Sequence, residues 1–239
     1  VTGLSNIAMG FRAADALLSG ACNIAIGEDA LGATTIGVEN IAMGRSAMGG
    51  VTTGAANYNV AIGLLALSGA AATTGGSNIA IGKTTMDALT TGACNIAMGI
   101  NALGAATIGV KNVAIGTNAM SGVTTAQADN NIAIGESALA GAAATSGNSN
   151  IAIGTTAMDA LTTGACNIAL GVDALGAATI GLKNIAIGQN AMCGVTTLQA
   201  DDNIAIGRSA LAGAAATSGN SNIAIGTTSA DALTTGACN

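Results

Sequence analysis

Residues 78–94 read NIAIGKTTMDALTTGAC and residues 150–166 read NIAIGTTAMDALTTGAC, identical but for Lys83 against Thr155 and Thr85 against Ala157. The two stretches lie 72 residues apart, and Cys22, Cys94, Cys166 and Cys238 mark the same interval along the chain. The opening pentapeptide Asn-(Ile/Val)-Ala-(Ile/Met/Leu)-Gly begins at Asn6, Asn23, Asn40, Asn59, Asn78, Asn95, Asn112, Asn131, Asn150, Asn167, Asn184, Asn203 and Asn222, and Asn239 would open a fourteenth copy. The spacings run 17, 17, 19, 19 and then recur. A fixed short period is the signature of stacked units that each bury an apolar face on a neighbour.

We count each asparagine as position 0. Large apolar residues at positions 1 and 3 have period 2, a strand signal. Ile and Val also favour strands. Glycine at position 4, as at Gly10 and Gly27, closes the strand at a corner that needs unusual backbone angles. Position 8 is Leu or Met in eleven of thirteen copies, Ala14 and Ala230 being the exceptions. A third apolar or Thr-rich piece follows, such as Ala88-Leu89-Thr90-Thr91, before Gly, Ser, Asn and Asp return the chain to the next asparagine. A helical reading fails because glycine recurs every few residues, at about 1 kcal/mol each relative to Ala.

The fold expected is all-β: a β-solenoid (β-helix or β-roll) of about 13 coils, 17–19 residues per coil, with a 72-residue super-repeat. Coils stacked at about 4.8 Å would give a rod on the order of 60 Å long. The large residues at positions 1, 3 and 8 are expected to point inward as a thin seam, with alanine at position 2 facing out. Outward Ala and Gly rows would then form flat strips that favour lateral association. The two extra residues of the longer copies, as in Ala126-Gln127-Ala128-Asp129-Asn130, are expected to bulge as loops. The thirteen asparagines are expected to form a structural ladder, each side-chain amide bonding the next coil. The alternative is that asparagine merely suits a turn. Residues 1–239 read as one repetitive solenoid, an uncapped segment of a longer fibre.

Composition narrows the function. Of 239 residues, 36 are Gly, none is Pro, His or Trp, aromatics are 1% and charged residues 8%. Without His, Ser–His and Cys–His nucleophile pairs are impossible, and no catalytic residue, metal site or cofactor is expected. Six Lys+Arg against 12 Asp+Glu, a net charge of −6, argue against a nucleic-acid surface. Residues 46–82 carry no charge, but Gly, Asn, Ser and Thr interrupt them, so no membrane insertion is expected.

Each remaining feature has a plain reading. Cysteines four coils apart would lie about 19 Å from one another, beyond the ~7 Å a disulfide allows. They read as small buried thiols, interchain bridges being the alternative, and unpaired thiols fit assembly in a reducing compartment. Asp15, Asp87, Asp159 and Asp231 also recur at 72, too far apart for a calcium ladder. Asp201-Asp202 reads as a solvated corner. Thr pairs at 52–53, 90–91, 124–125, 162–163 and 196–197 raise an ice-binding array, but neighbouring Thr residues on a strand face opposite ways. Gly82-Lys83-Thr84 lacks the upstream glycine of a phosphate loop.

The run Asn-x-Ala-(Ile/Val)-Gly-x-x-Ala, and above all NIAIGESAL at 131–139 and NIAIGRSAL at 203–211, resembles repeats of bacteriophage tail-fibre-like proteins. It is also similar to the repeat of YadA-like trimeric autotransporter heads, although those coils are shorter. The resemblance implies a homotrimer and a left-handed coil. The function expected is a structural fibre segment, a rigid shaft or spacer of a virion tail fibre or surface appendage that supports attachment to a host. It would be extracellular or on the virion surface. The alternative is a cell-surface adhesin that binds a receptor or glycan through its loops; an ice-binding protein is the third reading.

Overall fold

The computed structural model describes residues 3–50, 56–69, 75–122, 128–141, 147–178, 180–194, 200–213, 219–233 and 236–239. Among them are thirteen three-residue strands, one per asparagine: β1 (Ile7–Met9), β2 (Ile24–Ile26), β3 (Ile41–Met43), β4 (Val60–Ile62), β5 (Ile79–Ile81), β6 (Ile96–Met98), β7 (Val113–Ile115), β8 (Ile132–Ile134), β9 (Ile151–Ile153), β10 (Ile168–Leu170), β11 (Ile185–Ile187), β12 (Ile204–Ile206) and β13 (Ile223–Ile225). The chain falls into two compact units, Val1–Asn118 and Ala119–Asn239. In the first, β1 to β7 pair parallel in chain order, position against position, so that Ile7 faces Ile24 and Ala8 faces Ala25. In the second, β8 to β13 do the same. Each unit is thus a β-solenoid with one 17- or 19-residue coil per strand.

The strands face the opposite way from the sequence-based expectation. Position 2 is inside: Ala25, Ala42, Ala80, Ala97, Ala152 and Ala169 are fully buried. Positions 1 and 3 are outside: Met98 is 40% exposed and Ile153 37%. The outward rows are therefore Ile, Val, Met and Leu, not Ala and Gly. Alternation supplies the reason, because positions 0 and 2 share a strand face and positions 1 and 3 share the other. The asparagines are buried, so the alanines go in with them and the isoleucines come out. Position 8 is inside as expected. Leu31, Met48, Leu103 and Leu175 are buried beside the position-7 alanines, and Leu89 and Leu161 add a third wall. The coil is narrow, and a methyl at position 2 fills the gap that a larger side chain would overfill. Ala97→Leu is accordingly expected to cost about 1–3 kcal/mol, the usual range for overpacking, read as a lower urea midpoint at unchanged slope.

The turn after each strand uses left-handed backbone. Gly171 has φ 136°, Asp173 φ 54° and Leu175 φ 53°. The corner before each asparagine is also left-handed, as at Cys166, φ 59°. Such angles disfavour Leu by roughly 1–2 kcal/mol. They are held because each turn is bonded to its neighbours: Leu175 donates its N–H to Ala191 O at 2.8 Å, and Asp173 donates to Thr155 O at 3.1 Å.

Candidate functional site

The best-defined constellation is the asparagine column. In the first unit the side chains of Asn23, Asn40, Asn59, Asn78, Asn95 and Asn112 each donate Nδ2–H to the Oδ1 of the preceding asparagine, beginning at Asn6, over 3.1–3.2 Å. In the second unit Asn150, Asn167, Asn184, Asn203, Asn222 and Asn239 do so in a chain that begins at Asn131. Asn95 shows the full pattern. Its Nδ2 donates to Asn78 Oδ1 at 3.1 Å and to Gly109 O at 2.7 Å. Its Oδ1 accepts the backbone N–H of Asn112 at 2.9 Å and the Asn112 amide at 3.2 Å. Two donors and two acceptor sites are all used, which is how a polar side chain that is 0% exposed avoids the cost of burial. Asp lacks the donors, and Ser lacks the second one.

A second, discontinuous row lies two residues before the asparagine. Asn57 Oδ1 accepts the N–H of Val38 at 2.9 Å, and Asn148 Oδ1 accepts that of Asp129 at 2.8 Å. Asp201 Oδ1 accepts the N–H of Leu182, and Asn220 Oδ1 that of Asp201, both at 2.9 Å. Sequence reading missed this row. Its signal was Asn or Asp recurring at the end of 19-residue copies: Asn57, Asp129, Asn148, Asp201 and Asn220. Asp201 is therefore a bonded corner residue, while its neighbour Asp202 is exposed.

The cysteines are not buried thiols. Cys22, Cys94, Cys166 and Cys238 are exposed and Cys193 is half-buried, all five as free thiols. The reason is the left-handed corner before the asparagine: the asparagine turns inward and the residue before it turns out. Cys193 lines a depression of about 300 Å³ with Asp159, Asp173, Gly176 and Asn190. Burial, followed by the charge of Asp173, pushes its thiol up. Titration with a disulfide reagent in native buffer is expected to show four prompt thiols and one that lags.

The recurring aspartates sit at position 9. Burial pushes the Asp159 carboxyl up, and the Asp173 charge adds to it; burial also pushes up Asp87. Asp173 itself accepts the hydroxyl of Thr156. A carboxyl raised on folding supports stability below the ordinary carboxylate range, and that support is lost as pH rises through the raised value. Asp159→Asn is therefore expected to raise the melting temperature slightly at pH 7 and to leave it unchanged at pH 3. Arg12 forms a two-pronged pair with Asp29, Nε to Oδ1 at 2.7 Å, on the exposed surface. Its hydrogen bond to Asp29, and then that charge, hold it more firmly protonated. Among the described residues no three His, Cys, Asp or Glu side chains are grouped to hold a metal ion, and no helix is long and apolar enough to cross a membrane. Thr90-Thr91 and Thr162-Thr163 fall among the described residues, whereas the other Thr pairs and Ala126-Gln127 lie outside them. Set against family models, curated proteins and solved structures, the chain finds no match.

Proposed function

We propose that the chain is a structural fibre segment: a stiff shaft or spacer of a virion tail fibre or surface appendage, self-associated as a homotrimer, that holds an attachment function away from its base. The observation that supports this reading is the asparagine column. Within each unit the coils are tied to their neighbours by a buried amide ladder as well as by strand pairing, so the work of the repeat goes into stiffness along the stack. The test is length. Electron microscopy of the purified chain and of a version lengthened by one 72-residue repeat is expected to show straight filaments of equal width. The longer should exceed the shorter by about 19 Å, four strand spacings. A compact particle, or one that broadens on lengthening, overturns the reading.

A further inference from the structure

Positions 1 and 3 carry Ile, Val, Met or Leu in all thirteen copies, 26 side chains without one polar replacement. These side chains face outward in both units. Position 5, just past the strand, varies instead from Phe11 through Glu28 and Arg45 to Thr117. An outward row left in water would drift as position 5 does. The row that never drifts is one that is covered. The strip of each unit offers on the order of 300 Å² of projected apolar area by strand spacing and rise. One partner's share of a standard interface is about 800 Å².

We infer that this face is covered by a second copy of the chain, packed parallel and in register around an axis that runs along the stack. The inference rests on the shaft reading and names its interface. The charges beside the strip select this arrangement. Any rotation about such an axis sets position 5 of one copy beside the residue before the asparagine of the next, at equal height. In the first unit that height pairs Arg45 with Glu39, and in the second Arg208 with Asp202. At every other height at least one of the two residues is uncharged, so like charges never meet. All four residues are exposed, and none has an ion partner within its own chain among the described residues. Glu39 and Arg45 flank β3 at its two ends, and the strand between them holds them apart in one copy, so only a neighbour can join them. An antiparallel copy would not match these heights.

The test uses Cys166 and Val172, which bracket β10 as Glu39 and Arg45 bracket β3. Val172→Cys in the full chain is expected to give, on mild oxidation, a covalent ladder in a denaturing gel whose top band counts the copies. Adding Cys166→Ser should abolish it. Within one chain the same pair sits at opposite ends of β10, past the ~7 Å that a disulfide allows. In sedimentation, the wild-type chain should run as a multimer and Ile153→Asp as a monomer with unchanged circular dichroism. Glu39→Arg should weaken association at least tenfold, and Glu39→Arg with Arg45→Glu should restore it. A monomeric wild type, or a multimer that Ile153→Asp leaves intact, overturns the interface. A multimer that Val172→Cys does not cross-link overturns the register. Neither result touches the 19 Å length increment, which tests the shaft itself.

Discussion

Asn95→Asp is expected to destabilise its unit by on the order of 3–5 kcal/mol at pH 7, the range for a buried polar network that loses a partner and gains an uncompensated charge. The mechanism is local. The new carboxylate oxygen replaces Nδ2 and stands against two acceptors, Asn78 Oδ1 and Gly109 O, that the amide bonded at 3.1 and 2.7 Å. Its other oxygen still accepts from Asn112. Burial and facing oxygens both disfavour the anion, so the folded pKa must rise above the unfolded value of about 3.9. Protonation restores one donor. The penalty is therefore smallest below the ordinary carboxylate range and grows as pH rises through the folded pKa. Urea unfolding at pH 3.5 and pH 7 measures both ends. A loss below about 1 kcal/mol at both would mean that the column is ornamental.

Gly99→Ala is expected to cost a comparable amount, roughly 3–5 kcal/mol, for an unrelated reason. Gly99 has φ 133°, which L side chains avoid. A methyl there would also lie 2.5 Å from Gly116 O and 2.7 Å from its carbonyl carbon. Both obstacles are backbone of the next coil and have no rotamer to move. The coils must separate locally or the strand end must unwind. Amide exchange around β6 and β7 should accelerate in Gly99→Ala while exchange near β1 stays slow. Uniform acceleration across the unit would contradict nearest-neighbour coupling.

The stacking of the coils was legible because the period is written thirteen times, and the strand was legible because Ile-Ala-Ile alternates. The facing of the strand was misread for an instructive reason. Hydrophobicity placed Ile96 and Met98 inside and Ala97 outside, yet the same alternation ties Ala97 to Asn95. Once an asparagine needs both of its amide donors satisfied by neighbouring coils, it must sit inside, and position 2 follows by parity. The uniform asparagine was the stronger signal, because a mere turn residue would have been exchanged for Asp or Gly somewhere. The exposure of Cys22, Cys94 and Cys166 follows from that same choice, one residue earlier in the chain. The row through Asn57, Asn148, Asp201 and Asn220 left only a faint trace, Asn or Asp recurring two residues before the asparagine in the longer copies. It is interrupted by Gly76 and alanines such as Ala93, and its bonds go to backbone N–H groups that no pattern of side chains reveals.

The column also bears on chemical ageing. Asparagine is a thermolabile residue, and its spontaneous decay begins when the backbone nitrogen of the next residue attacks the side-chain carbonyl. Here that nitrogen is committed elsewhere. The N–H after Asn95, on Ile96, is held at 2.8 Å by Asn112 O, while the Asn95 carbonyl oxygen is pinned by two donors. The branched Ile or Val that follows each asparagine crowds the approach further. The geometry that makes conversion to aspartate so damaging thus slows that conversion, and deamidation in a stored sample should fall first on amides outside the interior column.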